Sequence, residues 1–452
     1  MRTKRGFLLF LLLVIGLAAS LTLWQLPAIL KAIPSRYVAR LPEALQAVGE
    51  REHVAQLPTV AAPAGTDPLL QLAARPGEKA VPAAPTPTDL PSFAPPPAGE
   101  LANHSQATPT PPPPPTATPL PTPTQVPIPA AARLENIHHR FQEWNNCGPA
   151  TLAMSLSYFG LNLGQKDTAA VLKPNPEDRN VSPAEMAAYV RNYTDVLAIT
   201  RQNGDLYTLR RLLSEGIPVI IELGIEPPGD YAWLGWYGHY LLPVAYDDAY
   251  QQFWVYDSWF GTSEVPLENA TSDGRILSYA DLDAGWRDFN RTYIALYRPE
   301  QANTLADILG PNLDDATMWQ NALARAQDEL TAEPENAYLW FNLGSIYNAL
   351  AQYDLAALAF DQARNIGLPW RMLWYQFGPY EAYYQVGRYE DVRLLADVTL
   401  QDRPYFEEAY YYRALAAAAL GDLRSARADL QRAIDFNPNF APAGEALANL
   451  GS

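Results

Sequence analysis

The chain has 452 residues and one cysteine, and 49 acidic side chains against 32 lysines and arginines give a formal net charge of −17. The length corresponds to about three structural units of roughly 150 residues. The charge excludes a nucleic-acid partner, because no basic stripe is available to neutralise phosphates, and leaves cationic peptides among the partners that fit; one thiol excludes an intramolecular disulfide.

Arg2, Lys4 and Arg5 open the chain, and no charged residue follows from Gly6 to Leu30. About 20 apolar residues span a bilayer as a helix, whereas the apolar core of a cleavable signal is roughly 7–15. Residues 1–30 are therefore expected to be a signal anchor, a single transmembrane helix with its N-terminus inside and everything after it outside. The small residues of Leu17-Ala18-Ala19-Ser20 keep open the alternative of signal cleavage and a secreted chain. No cysteine follows the run closely, which excludes an N-terminal lipoprotein.

Residues 31–132 read as a spacer. Ile33, Tyr37, Leu41, Leu45 and Val48 keep a helical pattern, and from Leu57 to Ala131 proline, alanine and threonine dominate, with an unbroken proline run from Pro111 to Pro115. Proline fixes φ and removes a backbone donor, so this stretch is expected to be a disordered, semi-rigid linker of roughly 3 Å per residue where proline is densest. It would hold the folded part away from a membrane. Pro-x-x-Pro recognition and glycosylated Thr-Pro repeats are further readings.

Residues 133–300 are expected to form one domain. Asn146 or a neighbour caps a helix over Cys147–Tyr158, with Gly160 as its stop. Ser182-Pro183-Ala184-Glu185 is a helix start with proline in the first turn and glutamate three residues after the serine. A further helix covers Leu206–Leu213, ended by Gly216. Strands are expected over Pro218–Leu223, His239–Tyr246, Gln252–Asp257 and Tyr293–Tyr297. Helices first and a mainly antiparallel sheet afterwards make an α+β arrangement.

Cys147 begins a helix, and helix N-termini lower a thiol pKa, as does a nearby imidazolium. His53 and His104 fall in the spacer and His138 and His139 just before the cysteine, which leaves His239, in Gly238-His239-Tyr240, as the histidine deep in the domain. Asp257 ends the next strand and is the candidate to orient that imidazole. The backbone N–H of Cys147 and the side-chain amide of Gln142 are the candidate oxyanion donors. The aromatic loop from Ile225 to Gly238 reads either as a substrate-binding lip or as packing over the sheet edge. No metal or cofactor is needed for this chemistry.

Gln142-x-x-Asn145-Asn146-Cys147-Gly148-Pro149-Ala150, with Gly238-His239-Tyr240 and Asp257, resembles the peptidases that include the leader-cleaving domains of bacteriocin exporters. The resemblance covers roughly residues 134–298 and implies a papain-like fold. It also implies that Cys147 attacks a peptide carbonyl, His239 is general base and acid, Asp257 orients His239 and Gln142 lines the oxyanion hole. Here the glutamine stands five residues before the cysteine, whereas the exporter domains usually have six. Neither a transporter nor an ATPase accompanies the domain, so the resemblance is to the broader C39-like set, and leader peptides ending in paired glycines are not implied.

Residues 312–450 repeat themselves. Trp340, Leu343, Gly344, Tyr347, Ala356, Phe360, Ala363 and Pro369 follow the tetratricopeptide spacing, and Tyr410, Ala414, Ala426, Leu430, Ala433 and Pro438 follow it about two repeat lengths later. Gly387-Arg388-Tyr389-Glu390 and Pro404 mark a degenerate middle unit, and Thr317–Leu330 with Pro334 a half-repeat in front. This part resembles a tetratricopeptide array of about three repeats, an all-α solenoid that implies a protein partner; the alternative is that it only braces the catalytic domain. Trp370, Trp374, Tyr375, Tyr380, Tyr383 and Tyr384 either line a groove or fill the repeat interface.

The function expected is thus an extracytoplasmic, membrane-tethered cysteine peptidase acting on a peptide or protein. The alternatives are an inactive papain-like scaffold and an amide hydrolase or acyl transferase acting on a cell-wall substrate.

Overall fold

The computed structural model describes residues 127–226 other than 179, 235–260, 270–271 and 273–450, together with 25, 26, 30 and 56–60. Most of the expected anchor and spacer, and residues 227–234 of the aromatic loop, lie outside the described residues. Among the described residues, no helix is long and apolar enough to cross a membrane.

The first folded part is a sheet with helices packed on it. Its strands are β1 (Ala131–Arg133), β2 (Leu197–Arg201), β3 (Val219–Ile225), β4 (Tyr237–Asp247), β5 (Gln252–Asp257), β6 (Ala270–Thr271), β7 (Gly274–Ser278) and β8 (Tyr293–Tyr297). They lie in the order β2-β8-β3-β4-β5-β7-β6, with β1 pairing β4 off this path. Every pairing among the described residues is antiparallel. β3 is buried along its whole length and β4 along all but its last residue, so their near-continuous apolar runs mark the centre of the sheet.

Helix α1 (Cys147–Ser157) packs on β4 and β3. Its apolar residues run all the way round, and after Cys147 every residue is buried, as a helix enclosed by the fold requires. It ends at Ser157, one residue before the expected end, and Gly160 follows at φ 83°. Asn146 occupies the cap position, but its side chain does not cap; its Nδ2 donates to Gln165 Oε1 instead. Helix α2 (Gln165–Leu172) comes next. Helix α3 (Pro183–Tyr193) opens as the sequence predicts: Ser182 Oγ accepts from Glu185 N, and Glu185 Oε2 accepts from Ser182 N at 2.7 Å. Helices α4 (Leu206–Ser214), capped by Asp205, and α5 (Tyr279–Arg287), capped by Ser278, complete this part.

The rest is helical. After α6 (Ala302–Leu309) and α7 (Asp315–Ala332) come three hairpins: α8 (Ala337–Ala349) with α9 (Tyr353–Ile366), α10 (Gly378–Gln385) with α11 (Tyr389–Asp402), and α12 (Glu407–Ala419) with α13 (Leu423–Phe436). Helix α14 (Ala441–Leu450) follows. Ala351, Gly387 and Gly421 occupy the same place in the three hairpin turns, with φ of 56°, 74° and 87°. Gly344 lets α8 and α9 close up: a Cβ there would stand 2.6 Å from Phe360 Cε1. Of the dense aromatics, Trp370, Trp374, Tyr375, Tyr380 and Tyr383 are buried, so they fill the array rather than line a groove.

The two parts share one hydrophobic core. Trp236 is sandwiched between Phe289 of the sheet part and Tyr338 of α8, and meets Tyr375 edge-on. Arg371 lies 4.1 Å over the Tyr237 ring. Trp236 and Tyr237 therefore pack, where the sequence left packing and a lip both open. A second seam joins Asn180 Nδ2 to Glu408 Oε1 at 3.0 Å, and a third joins Arg201 to Asp315 and Leu313 O.

Candidate active site

Cys147 stands at the first position of α1, so its own N–H is among the four at a helix start that have no partner within the helix. The chain enters through Asn145, held at φ 53°. Lys173, at the end of α2, fixes that entry: its Nζ donates to Trp144 O at 3.2 Å and Asn145 O at 2.9 Å. This buried ammonium sits where water would otherwise solvate the loop carbonyls.

His239 lies on β4, in register with Leu223 of β3. Its ring interacts with the Cys147 thiol, lowering the thiol pKa and being raised by it. Its Nε2 lies 2.9 Å from Asp257 Oδ1, which leaves Nδ1 as the ring nitrogen for the sulfur. Asp257 ends β5, and its Oδ1 also accepts from the backbone N–H groups of Trp259 and Phe260. Its Oδ2 faces Arg275 Nε of β7 at 3.0 Å. Sulfur, imidazole and carboxylate thus form a row supplied by a helix start and two neighbouring strands.

The electrostatics follow from that row. Burial pushes the Cys147 thiol up, but the hydrogen bond and charge of His239, the Lys173 charge and the Gly148 N–H outweigh it and hold the pKa below the ordinary thiol value. Burial lowers His239, yet Asp257 and Cys147 together raise it to about 9. Burial raises Asp257, while His239, Arg275 and the Trp259 N–H bring it down to about 2. The arrangement favours thiolate and imidazolium over the neutral pair.

Gln142 is tied to the end of β5: its N–H donates to Ser258 O at 2.7 Å, and its Oε1 accepts from Ser258 Oγ at 2.8 Å. With Oε1 engaged, Nε2 is the half of the amide left to donate. The structure therefore brings Cys147, His239 and Asp257 together and anchors Gln142 beside Asp257.

Four further groups escape the sequence reading. Arg275 and Lys173 reach the site only through tertiary pairing, although a lysine closing the apolar run Val171-Leu172 was a visible signal. His139 places Nε2 at 2.7 Å from Asp257 O and packs on Tyr256. Glu222, opposite Tyr240 in the β3–β4 register, is buried. Its carboxyl is pushed up to about 8 by burial, against a lowering hydrogen bond to Tyr240, and further by the charge of Cys147. The Tyr240 hydroxyl in turn donates to Val181 O at 2.8 Å.

Among proteins of curated function, none matches the chain. A solved structure from Bacillus anthracis, described as a C39-like peptidase, aligns at 16% identity over 37% of this chain and 98% of its own, with a TM-score of 0.29, too loose a likeness to carry an argument. Residues 133–280 match the family model described as the Peptidase_C39 like family.

Proposed function

We propose that the chain is a cysteine peptidase of papain-like fold that cleaves peptide bonds through Cys147, His239 and Asp257. The observation that carries this reading is the row in which buried His239 interacts with the half-buried Cys147 thiol on one side and holds Nε2 2.9 Å from Asp257 Oδ1 on the other. In the proposed reaction the Cys147 thiolate attacks the carbonyl carbon, and the C=O electron pair moves onto oxygen. The Cys147 N–H and Gln142 Nε2 receive that oxyanion. Collapse breaks the C–N bond, and the leaving amine takes the proton from His239. His239 then removes a proton from water, the hydroxide attacks the thioester, and the carboxylic product leaves thiolate and imidazolium restored. Asp257, with Arg275 behind it, keeps the imidazole turned to the sulfur throughout.

The helical part reads as a tetratricopeptide array. Trp236 and Tyr237, packed under Tyr338, Tyr375 and Arg371, support a bracing role, because they immediately precede Gly238 and His239 on β4. A protein-binding role stands beside it. Residues 1–30 are proposed to anchor the chain in a membrane, with residues 31–132 as the linker that carries both folded parts outside.

The test is alkylation with iodoacetamide at about pH 6, where an ordinary thiol is almost wholly protonated. Cys147 is expected to react well ahead of free cysteine, and Cys147→Ser to abolish cleavage of a denatured protein substrate. A thiol no more reactive than free cysteine, or cleavage that survives the substitution, would leave the chain a scaffold without this chemistry.

A further inference from the structure

Residues 56–60, Gln-Leu-Pro-Thr-Val, lie against the helical part just after α9, some three hundred positions further along the chain. Gln56 bridges Pro369 in antiparallel sense, and Leu57 N–H donates to Leu368 O at 2.9 Å. Val60 N–H donates to Asn365 Oδ1 at 2.8 Å, and Arg364 Nε donates to Pro58 O at 2.8 Å. Leu57 is 2% exposed, whereas Gln56 and Thr59 face solvent. The segment therefore behaves as a short added strand with one anchoring side chain.

The receiving surface is shaped for this. Arg364 is only 1% exposed, and Nη1 is already engaged with the Tyr383 hydroxyl and Asp391. Pro58 O supplies the acceptor for its Nε, so removing the segment would strand a buried guanidinium N–H. Gly367 sits at φ +120°, a conformation that residues with a side chain rarely adopt, and the Gln56 amide rests over it. Arg364, Asn365 and Leu368 address main-chain atoms, and the buried pocket addresses leucine. Nothing in the contact calls for charge on the peptide.

We propose that Arg364, Asn365 and the Gly367–Pro369 turn form a recognition groove for an extended, uncharged Leu-Pro peptide, and that residues 56–60 fill it as an internal ligand. The occupied groove is closed to outside Leu-Pro segments until the internal one leaves.

The probe is a fluorescein-labelled peptide with the sequence of residues 54–62, titrated by anisotropy against the full chain in mild detergent. Leu57→Asp empties the groove, and Thr59→Asp places the same charge on the exposed side as a control. The peptide is expected to bind the Leu57→Asp chain at least about tenfold more tightly than the wild type or Thr59→Asp, since the wild-type groove must first give up a buried leucine. Equal binding to all three chains, or no binding to a Leu57→Asp chain that melts like Thr59→Asp, overturns the proposal. Hydrogen exchange on the wild type decides the matter if Leu57→Asp does not fold. The Leu57 and Val60 amides should be protected and lose protection with excess unlabelled peptide; amides that exchange freely, or that ignore the peptide, overturn it equally.

Discussion

Asp257 divides its carboxylate between two cations: Oδ1 lies 2.9 Å from His239 Nε2, and Oδ2 lies 3.0 Å from Arg275 Nε. Both the histidine and the aspartate are buried, so neither oxygen can be replaced by solvent. The imidazole nearest the sulfur therefore owes its raised pKa first to Asp257 and then to Cys147.

Asp257→Asn should lower the rate of Cys147 alkylation at about pH 6 by about tenfold or more, because the neutral amide no longer holds His239 protonated. The same substitution should change the pH dependence of stability. His239 is raised to about 9, so its contribution is whole below its ordinary value of 6.5 and is lost as pH rises through about 9. Asp257 is lowered to about 2, so its contribution is present above 3.8 and lost as pH falls through about 2. In a Cys147→Ala chain, where no thiolate offsets the imidazolium, thermal melts should decline between about pH 6.5 and 9, and adding Asp257→Asn should lessen the decline. Parallel melting curves would show that the carboxylate does not set the charge on His239.

Glu222 offers a separate test. Burial keeps its carboxyl neutral until about pH 8, so at lower pH no second anion stands near the thiolate. Above that value its ionisation should oppose the Cys147 thiolate. Glu222→Gln is therefore expected to match the wild type in alkylation rate below about pH 7 and to exceed it near pH 9. Rate profiles that coincide across the whole range would rule out any influence of Glu222 on the sulfur.

Much of the site was legible because it rests on local chemistry. The strands Gln252–Asp257 and Tyr293–Tyr297 occupy the residues their patterns predict, and the Ser182–Glu185 start forms its reciprocal cap. β2 was missed because Leu197–Arg201 carries only a brief alternation; β8, far along the chain, pairs with it. α5 was missed because its apolar residues, Tyr279, Leu282 and Trp286, are separated by aspartates and a glycine. Arg275 escaped for a related reason: Gly274–Ser278 becomes a strand by pairing with β5 and β6. Within the expected spacer, residues 56–60 are held by groups on α9 and the turn after it, which no local reading of a proline-rich stretch reveals. At the other end of the spacer, Ala131 and Ala132 already belong to β1.

Trp236→Ala should report how far the helical part supports β4. The indole fills the space between Phe289, Tyr338 and Tyr375, and its Nε1 donates to Asp288 Oδ2 at 3.0 Å. Truncation leaves a cavity and takes the indole donor from the half-buried Asp288 carboxyl, for which a loss of about 3–5 kcal/mol is expected. Cys147 alkylation at about pH 6 should fall as well, since Trp236 immediately precedes β4, three residues before His239. A destabilised variant with unchanged thiol reactivity would confine the role of Trp236 to packing.

The seam between Asn180 and Glu408 should respond to pH in the opposite sense to a salt bridge. Asp178, Glu185, Glu407 and Glu408 converge there, with Lys173 as the facing cation and Tyr380 and Tyr412 of the helical part nearby. Glu407 Oε2 and Glu408 Oε2 are buried without a hydrogen-bond partner. Burial and mutual repulsion raise Asp178 and Glu408, and burial first of all raises Glu407 to about 7. Acids raised on folding contribute stability that is whole below their ordinary values, near 4.5 for glutamate, and is lost as pH rises through the folded pKa. The contact should therefore weaken between about pH 5 and 8. Glu408→Gln retains an oxygen for Asn180 while removing one ionisation, so its melting temperature should fall less steeply across that interval. Hydrogen exchange over residues 173–182 should show the same difference, because Lys173 joins that loop to the carbonyls of Trp144 and Asn145 just before Cys147. If Glu408→Gln keeps the wild-type slope in both measurements, the cluster does not govern the seam.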